Sequence, residues 1–358
     1  MFTDFFKFNL ILLRLCLVIT FFSIRVIAEE EALDLEAEQA KVASSVPLET
    51  SFSKFVIMGR VDLTAEYTPR NVGKDTLGSG KPGESTLDNN HFLFFLKIKA
   101  SPKTSFLGEF SDKTFFNVDY TNSEFLTTSF GKIIIPFGDT RFFHHFYGGI
   151  QGYSGKGVML SNLWSSPGIN LNWSFKSGQL DTYLVRGPKE NSKVISLQEE
   201  ASKDYFALGA RWTTHLESKL NLVGSIYQAD YEGRQSVSLT GIDLFTDYGA
   251  FQSNLFKKLR LSYGIANAAV EEKAKTYFKR GDYIQFASNV YSPAEIRLRY
   301  GTYVDDSRIK TVKDVHNVNV GVTFPVDVLK ILAEYQWNFE AADEIDNDVA
   351  RIMVSLDF

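Results

Sequence analysis

The feature that most restricts this chain is a two-residue alternation of apolar and polar side chains, recurring from residue 51 to the last residue. Near the end, Ala350, Ile352, Val354, Leu356 and Phe358 fall on one side of an extended chain. Val349, Arg351, Met353, Ser355 and Asp357 fall on the other. Residues 169–176 alternate in the same way, with Ile169, Leu171, Trp173 and Phe175 set against Asn170, Asn172, Ser174 and Lys176. So do residues 294–304 and 328–339. Successive side chains of a strand point to opposite faces, so alternation of this length predicts strand rather than helix.

Read this way, the chain yields about sixteen strands. They fall near 55–67, 91–100, 104–111, 113–120, 124–135, 168–176, 179–186 and 204–213, then 218–231, 237–248, 257–270, 281–291, 294–304, 315–324, 328–339 and 348–358. The third, fourth, seventh and tenth show the weakest alternation. Short turns such as Ser101-Pro102-Lys103, Ser177-Gly178 and Ser292-Pro293 alternate with mostly longer segments at 68–90, 136–167, 187–203, 271–280, 305–314 and 340–347. The join near Asp112 and the turn at 249–256 break that order.

Composition agrees with strands that face two solvents. Aromatic residues make up 14% of the chain and Phe alone numbers 31, yet mean hydropathy is −0.12. Only one run is greasy enough to be something else. Residues 1–14 carry Lys7 and Arg14, Leu15–Ile24 is largely apolar, and Arg25-Val26-Ile27-Ala28 follows. That layout predicts a signal peptide, residues 1–28, cleaved after Ala28. A helix that crosses a bilayer needs roughly twenty apolar residues, more than this run supplies.

The single cysteine, Cys16, lies inside that leader, so the mature chain is expected to hold no disulfide or thiolate chemistry. The leader holds three of the 38 basic and one of the 43 acidic residues, which leaves a mature net charge of −7. That balance argues against nucleic-acid binding. Residues 29–50 contain seven acids, one Lys and no aromatic residue, and read as an acidic periplasmic lead-in.

A strand structure can sit in lipid only as a closed antiparallel sheet, because every backbone N–H and C=O must find a partner there. The expected fold is therefore all-β, a transmembrane antiparallel β-barrel of about 16 strands over 51–358 after a cleaved signal peptide. Even strand number, short turns at one end and long loops at the other fit bacterial outer-membrane barrels. Barrels of this size leave an aqueous channel, whereas eight strands do not.

The carboxyl-terminal Phe358, behind alternating apolar residues, resembles the signal read by the barrel-assembly machinery of outer membranes. Phe130-Gly131-Lys132-Ile133-Ile134-Ile135-Pro136-Phe137-Gly138 is similar to a segment of the phosphate-selective porin family, where a strand enters an outer loop. Independently of family, Pro136 cannot donate to a ladder and Gly138 permits a tight bend, so the strand should end there. In general porins the corresponding loop folds inward and narrows the pore. The resemblance makes Asp139, Arg141, His144, His145 and Lys156 constriction candidates, with exposed surface charge as the equal alternative. It also implies a homo-trimer, with outer-membrane lipid and lipopolysaccharide as surroundings.

On the clearest strands the basic residues expected to face inward are Arg60, Lys97, Lys99, Lys176, Arg211, Lys258, Arg260, Arg297, Arg299, Lys330 and Arg351. Acidic ones are Asp62, Glu66, Glu295, Glu334 and Asp357. A lipid-facing Arg or Lys costs roughly 2–4 kcal/mol near the midplane, which supports the inward placement. Rings of basic residues favour anions.

Other chemistry finds little support. His144-His145 near Asp139 suggests a metal site, but adjacent strand residues point to opposite faces and no further ligand stands nearby. His91, His215 and His316 lie singly near strand ends, and no serine sits in a motif linking it to a histidine. Gly78-Ser79-Gly80-Lys81-Pro82-Gly83 lacks phosphate-loop spacing and reads as flexible loop. The expected function is a porin passing small hydrophilic solutes passively, anion-preferring, with no cofactor and no reaction. The alternatives are a surface-structural or adhesive barrel with a plugged lumen and, further off, a lipid-active barrel enzyme.

Overall fold

The computed structural model describes residues 55–67, 85–110, 115–138, 165–188, 201–216, 219–231, 235–246, 257–272, 275–291, 293–304, 315–340 and 348–357. Sixteen strands run through them. They are β1 (Phe55–Tyr67), β2 (Ser85–Lys99), β3 (Thr104–Phe110), β4 (Phe115–Ser123), β5 (Leu126–Ile134), β6 (Ser165–Phe175), β7 (Gly178–Pro188) and β8 (Ala201–Leu216). There follow β9 (Leu220–Tyr231), β10 (Gln235–Thr246), β11 (Lys257–Glu272), β12 (Lys275–Tyr291), β13 (Ala294–Val304), β14 (Val315–Val326), β15 (Leu329–Glu340) and β16 (Val349–Asp357). Each pairs antiparallel with its neighbours in sequence, and β16 returns to β1 to close the barrel. Among the described residues there is no helix.

Every strand expected from alternation is present, the four weak ones included. One expected loop is not. Residues 271–280 are almost entirely strand, since β11 runs to Glu272 and β12 starts at Lys275. The polar residues there, Glu271, Glu272, Lys275 and Lys279, suggested a loop, but ladder pairing extends past the apolar band and continues down to Glu272 opposite Lys275.

Alternation sorts the two faces as expected. On β16, Arg351, Met353 and Ser355 are buried inside the barrel while Ile352 and Val354 are exposed on its outside. On β13, Arg299 is buried and Leu298 exposed. Aromatic rings mark both edges of the outer apolar band. Tyr335 and Trp337 pack with ring centroids 4.6 Å apart towards one end, and Phe175 and Trp212 at 5.6 Å towards the other. Rings of this kind sit where a barrel wall passes from hydrocarbon to headgroups.

The chain enters β1 and leaves β16 at the same end. Connections at that end are two to four residues long, except 247–256. The opposite end carries 68–84, 135–164, 189–200 and 305–314.

Candidate pore lining

Residues opposite one another in an antiparallel ladder share a face, so the register shows which side chains line the interior. One row starts at Arg260 on β11 and passes through Ala287, Arg297, Gly321 and Glu334 to Arg351 on β16 and Glu66 on β1. The next row holds Ser262, Gln285, Arg299, Asn319 and Gln336. Ala287 and Gly321 are small and leave room for the long charged side chains beside them.

These groups are held by hydrogen bonds. Arg351 Nε donates to Glu66 Oε2 at 2.8 Å, and its Nη1 reaches Glu334 Oε1 at 3.4 Å and Gln336 Oε1 at 3.3 Å. Arg299 donates from Nε and Nη2 to Gln285 Oε1 at 2.9 and 2.6 Å. Arg297 Nη2 donates to Glu295 Oε1 at 3.0 Å. The Arg260 guanidinium lies 5.7 Å from the centre of the Phe245 ring. Across the lumen, Arg211 Nη2 lies 2.7 Å from Asp181 Oδ2, and Asn170 and Asn172 donate to Asp181 Oδ1 at 3.0 and 2.8 Å. Bonds of this kind fix a rotamer and so fix where a charge stands in the channel.

The register puts Arg60, Lys97, Lys99, Arg211, Arg260, Arg297, Arg299, Lys330 and Arg351 on the inner face, whereas Lys176 falls in a turn and not on the wall. Arg60 pairs with Asp357, and Lys97 and Lys99 lie on the same face of β2. Lys330 stands opposite Ser355 on the inner face, and Lys176 is exposed in the β6–β7 turn. Lys258 lies within β11. Asp139, Arg141, His144, His145 and Lys156 fall outside the described residues, as do Phe358 and residues 1–50.

Alternation on the clear strands missed five charges. Glu109 on β3, Asp119 on β4, Asp181 on β7 and Asp243 on β10 all point inward, on the strands whose sequence pattern was weakest. Lys279 is buried on the inner face of β12, inside the stretch expected as a loop. The two-to-one basic excess counted on the clear strands is therefore smaller over the whole lining. Of the histidines, His215 Nδ1 bonds Asn221 Oδ1, and His316 meets Tyr300 Oη at 3.0 Å on the outer face. Among the described residues no group of three His, Cys, Asp or Glu is placed to hold a metal.

An apolar inner wall went unforeseen. Val185, Ala207, Tyr227, Ala229, Val237, Leu239, Ala266 and Ala268 form a buried cluster on the inner face of β7–β11. The chain leaving β5 packs against it. After Ile134 it does not continue up the wall, and Ile135, Pro136, Phe137 and Gly138 are all buried. Gly138 N–H donates to Ser225 Oγ on β9 at 2.8 Å. Phe137 packs against β10 at Gly241, where an added Cβ would stand 2.9 Å from its ring. Gly138 has φ of 66°, a left-handed conformation that suits glycine. The Pro-Phe-Gly motif thus turns the chain into the lumen: Pro136 ends the ladder, Phe137 anchors and Gly138 bends.

No protein-family model and no curated protein matches the chain. Solved structures do. OmpT, an outer-membrane protein of Vibrio cholerae, superposes with a TM-score of 0.58 at 11% identity, over 87% of this chain and 100% of that one. An anion-selective porin from Comamonas acidovorans gives 0.58 at 10%, over 85% and 98%. The outer-membrane channel DcaP of Acinetobacter baumannii gives 0.55 at 11%, over 86% and 99%. The likeness is one of fold, and the fold is that of the bacterial outer-membrane porins.

Proposed function

We propose that this chain is an outer-membrane porin through which small hydrophilic solutes diffuse passively, with no reaction and no bound cofactor. The carrying observation is a closed barrel of sixteen strands whose inner face holds charged and amide side chains in continuous rows. Barrels with that many strands are wide enough for an aqueous channel. The inward segment Ile135–Gly138 narrows the lumen on the β9–β10 side, and the solute path runs past the arginine-bearing wall that begins beside it on β11. Residues 1–28 export the chain, and 29–50 form an acidic periplasmic lead-in.

Two finer points belong to the same reading. Anion preference is supported by Arg260, Arg297 and Arg299 standing on two adjacent rows of β11–β13, and the Comamonas neighbour is described as anion-selective. Inward Glu109, Asp119, Asp181 and Asp243 make that preference modest. A homo-trimer is supported by the trimer form described for one OmpT structure.

The second reading is a plugged structural barrel, favoured by the apolar cluster on the inner face of β7–β11. Planar-bilayer recording of the purified protein separates the two. Defined conductance steps with a reversal potential on the anion side are expected; a folded barrel that gives no steps overturns the porin in favour of the plug.

A further inference from the structure

Two basic side chains face away from the lumen. Lys132 on β5 precedes, and Arg186 on β7 follows, a residue whose direction is certain: Ile133 and Val185 are 3% and 1% exposed and pack inside. Phe130 and Leu184, on the same face as the two cations, are 47% and 52% exposed. Lys132 is paired with Phe116 on one side and Pro167 on the other. Pro167 in turn lies beside Arg186, whose carbonyl accepts a bond from Ser166 Oγ at 2.8 Å, and Arg186 is paired with Phe206. The outer wall thus carries the row Phe116, Lys132, Pro167, Arg186, Phe206. The cations are two strands apart, about 10 Å at ordinary strand spacing.

Neither cation has an ion pair among the described residues. Arg280, also on the outer wall, is different: it lies 3.3 Å from Asp282, which also accepts a bond from Thr302 at 2.7 Å. An Arg or Lys on the lipid side of a barrel is unfavourable in hydrocarbon and tolerated near the headgroups. Both residues lie two positions from the ends of their strands, at the end away from the chain termini. The row directly below them is greasy: Phe130, Ile169, Leu184 and Leu208. Charge above and acyl-compatible surface below is the pattern of an anionic lipid lying along the wall.

We propose that Lys132 and Arg186 hold the phosphates of a phosphorylated glycolipid of the outer leaflet, its acyl chains lying on Phe130, Ile169, Leu184 and Leu208. The choice of leaflet rests on the porin reading, which puts the long-loop end outside. Guanidinium and ammonium groups suit phosphate, one through a fork and the other as a point charge.

The test is native mass spectrometry of the detergent-purified barrel titrated with bis-phosphorylated lipid A, fully dephosphorylated lipid A and phosphatidylglycerol. The wild type is expected to retain bis-phosphorylated lipid A at least tenfold more tightly than either other lipid. Lys132→Gln with Arg186→Gln is expected to remove that difference, and Arg280→Gln to leave it. Heat-modifiable electrophoretic mobility confirms that each variant is folded, and the single substitutions serve if the pair is not. Equal retention by wild type and double variant, phosphatidylglycerol bound as tightly as lipid A, or an equal loss with Arg280→Gln each overturns the site. Channel recordings keep the two ideas apart. A wild type that binds lipid A through these residues but conducts nothing sinks the porin alone; conductance without selective lipid A binding sinks this site alone.

Discussion

Arg351 of the last strand donates its Nε proton to Glu66 of the first, 2.8 Å away, across the seam that closes the barrel. The same guanidinium reaches Glu334 on β15, so one cation serves two carboxylates on three adjacent strands, all nearly buried. Breaking a buried pair leaves charge uncompensated, typically at a cost of about 3–5 kcal/mol. Arg351→Ala should therefore destabilise the folded barrel by about 3 kcal/mol, because Glu66 and Glu334 are then left facing one another. Urea unfolding in lipid vesicles measures it. The reverse substitution, Glu66→Gln, keeps a hydrogen-bond acceptor and should cost much less. Equal losses for the two would mean that the charge of Glu66, rather than the hydrogen bond it accepts, holds the seam.

Leu298 and Arg299 are adjacent on β13, one exposed on the outer wall and the other buried inside. Leu298→Arg puts a guanidinium into hydrocarbon, which costs roughly 2–4 kcal/mol near the midplane. The expected outcome is a lowered unfolding midpoint in vesicles and slower assembly, with single-channel conductance unchanged in the molecules that fold. A neutral result would place this face against water or protein.

What alternation made legible, and what it hid, follows from which solvent each face meets. Strands such as β13 and β15 separate lipid from water residue by residue, and Arg297, Arg299 and Glu334 could be assigned from sequence alone. β3, β4, β7 and β10 could not be sorted, which hid Glu109, Asp119, Asp181 and Asp243. On β7 and β10 the cause is physical: Val185, Val237 and Leu239 are apolar on the inner face because chain packs on them there. Two apolar faces blur a period of two. The same packing explains Gly241, whose missing side chain is the space occupied by the Phe137 ring. The Pro136-Phe137-Gly138 turn was readable as the end of a strand. Where the chain went next was not, since its partners are about ninety and one hundred residues further along the sequence.

That packing supplies a prediction at Gly241. A Cβ there meets the Phe137 ring at 2.9 Å, and a larger side chain must push it off β10. Gly241→Leu should therefore displace Ile135–Gly138 towards the channel axis and change single-channel conductance while the strands stay paired. Phe137→Ala instead empties the contact and should cost about 3 kcal/mol, the usual penalty for removing a buried ring. Conductance that is identical in wild type and Gly241→Leu would show that the segment does not border the solute path.

Arg297 and Arg299 lie two residues apart on the inner face of β13, with Arg260 on the row of the first. Their hydrogen-bond partners differ: Glu295 accepts from Arg297, whereas the amide oxygen of Gln285 accepts twice from Arg299. These bonds fix both guanidiniums on the inner wall, so each should contribute to selectivity. Reversal potentials under a salt gradient test this. Arg299→Glu and Arg297→Glu should each move the potential towards the cation side, and the double substitution should make the pore cation-preferring. Raising the ionic strength from 0.1 M to 1 M should shrink all three effects, because the screening length falls from about 10 Å to about 3 Å. Cation preference in the wild type, unaltered by the double substitution, would remove this wall from the selectivity filter and leave the inward carboxylates of β3, β4, β7 and β10 as its determinants.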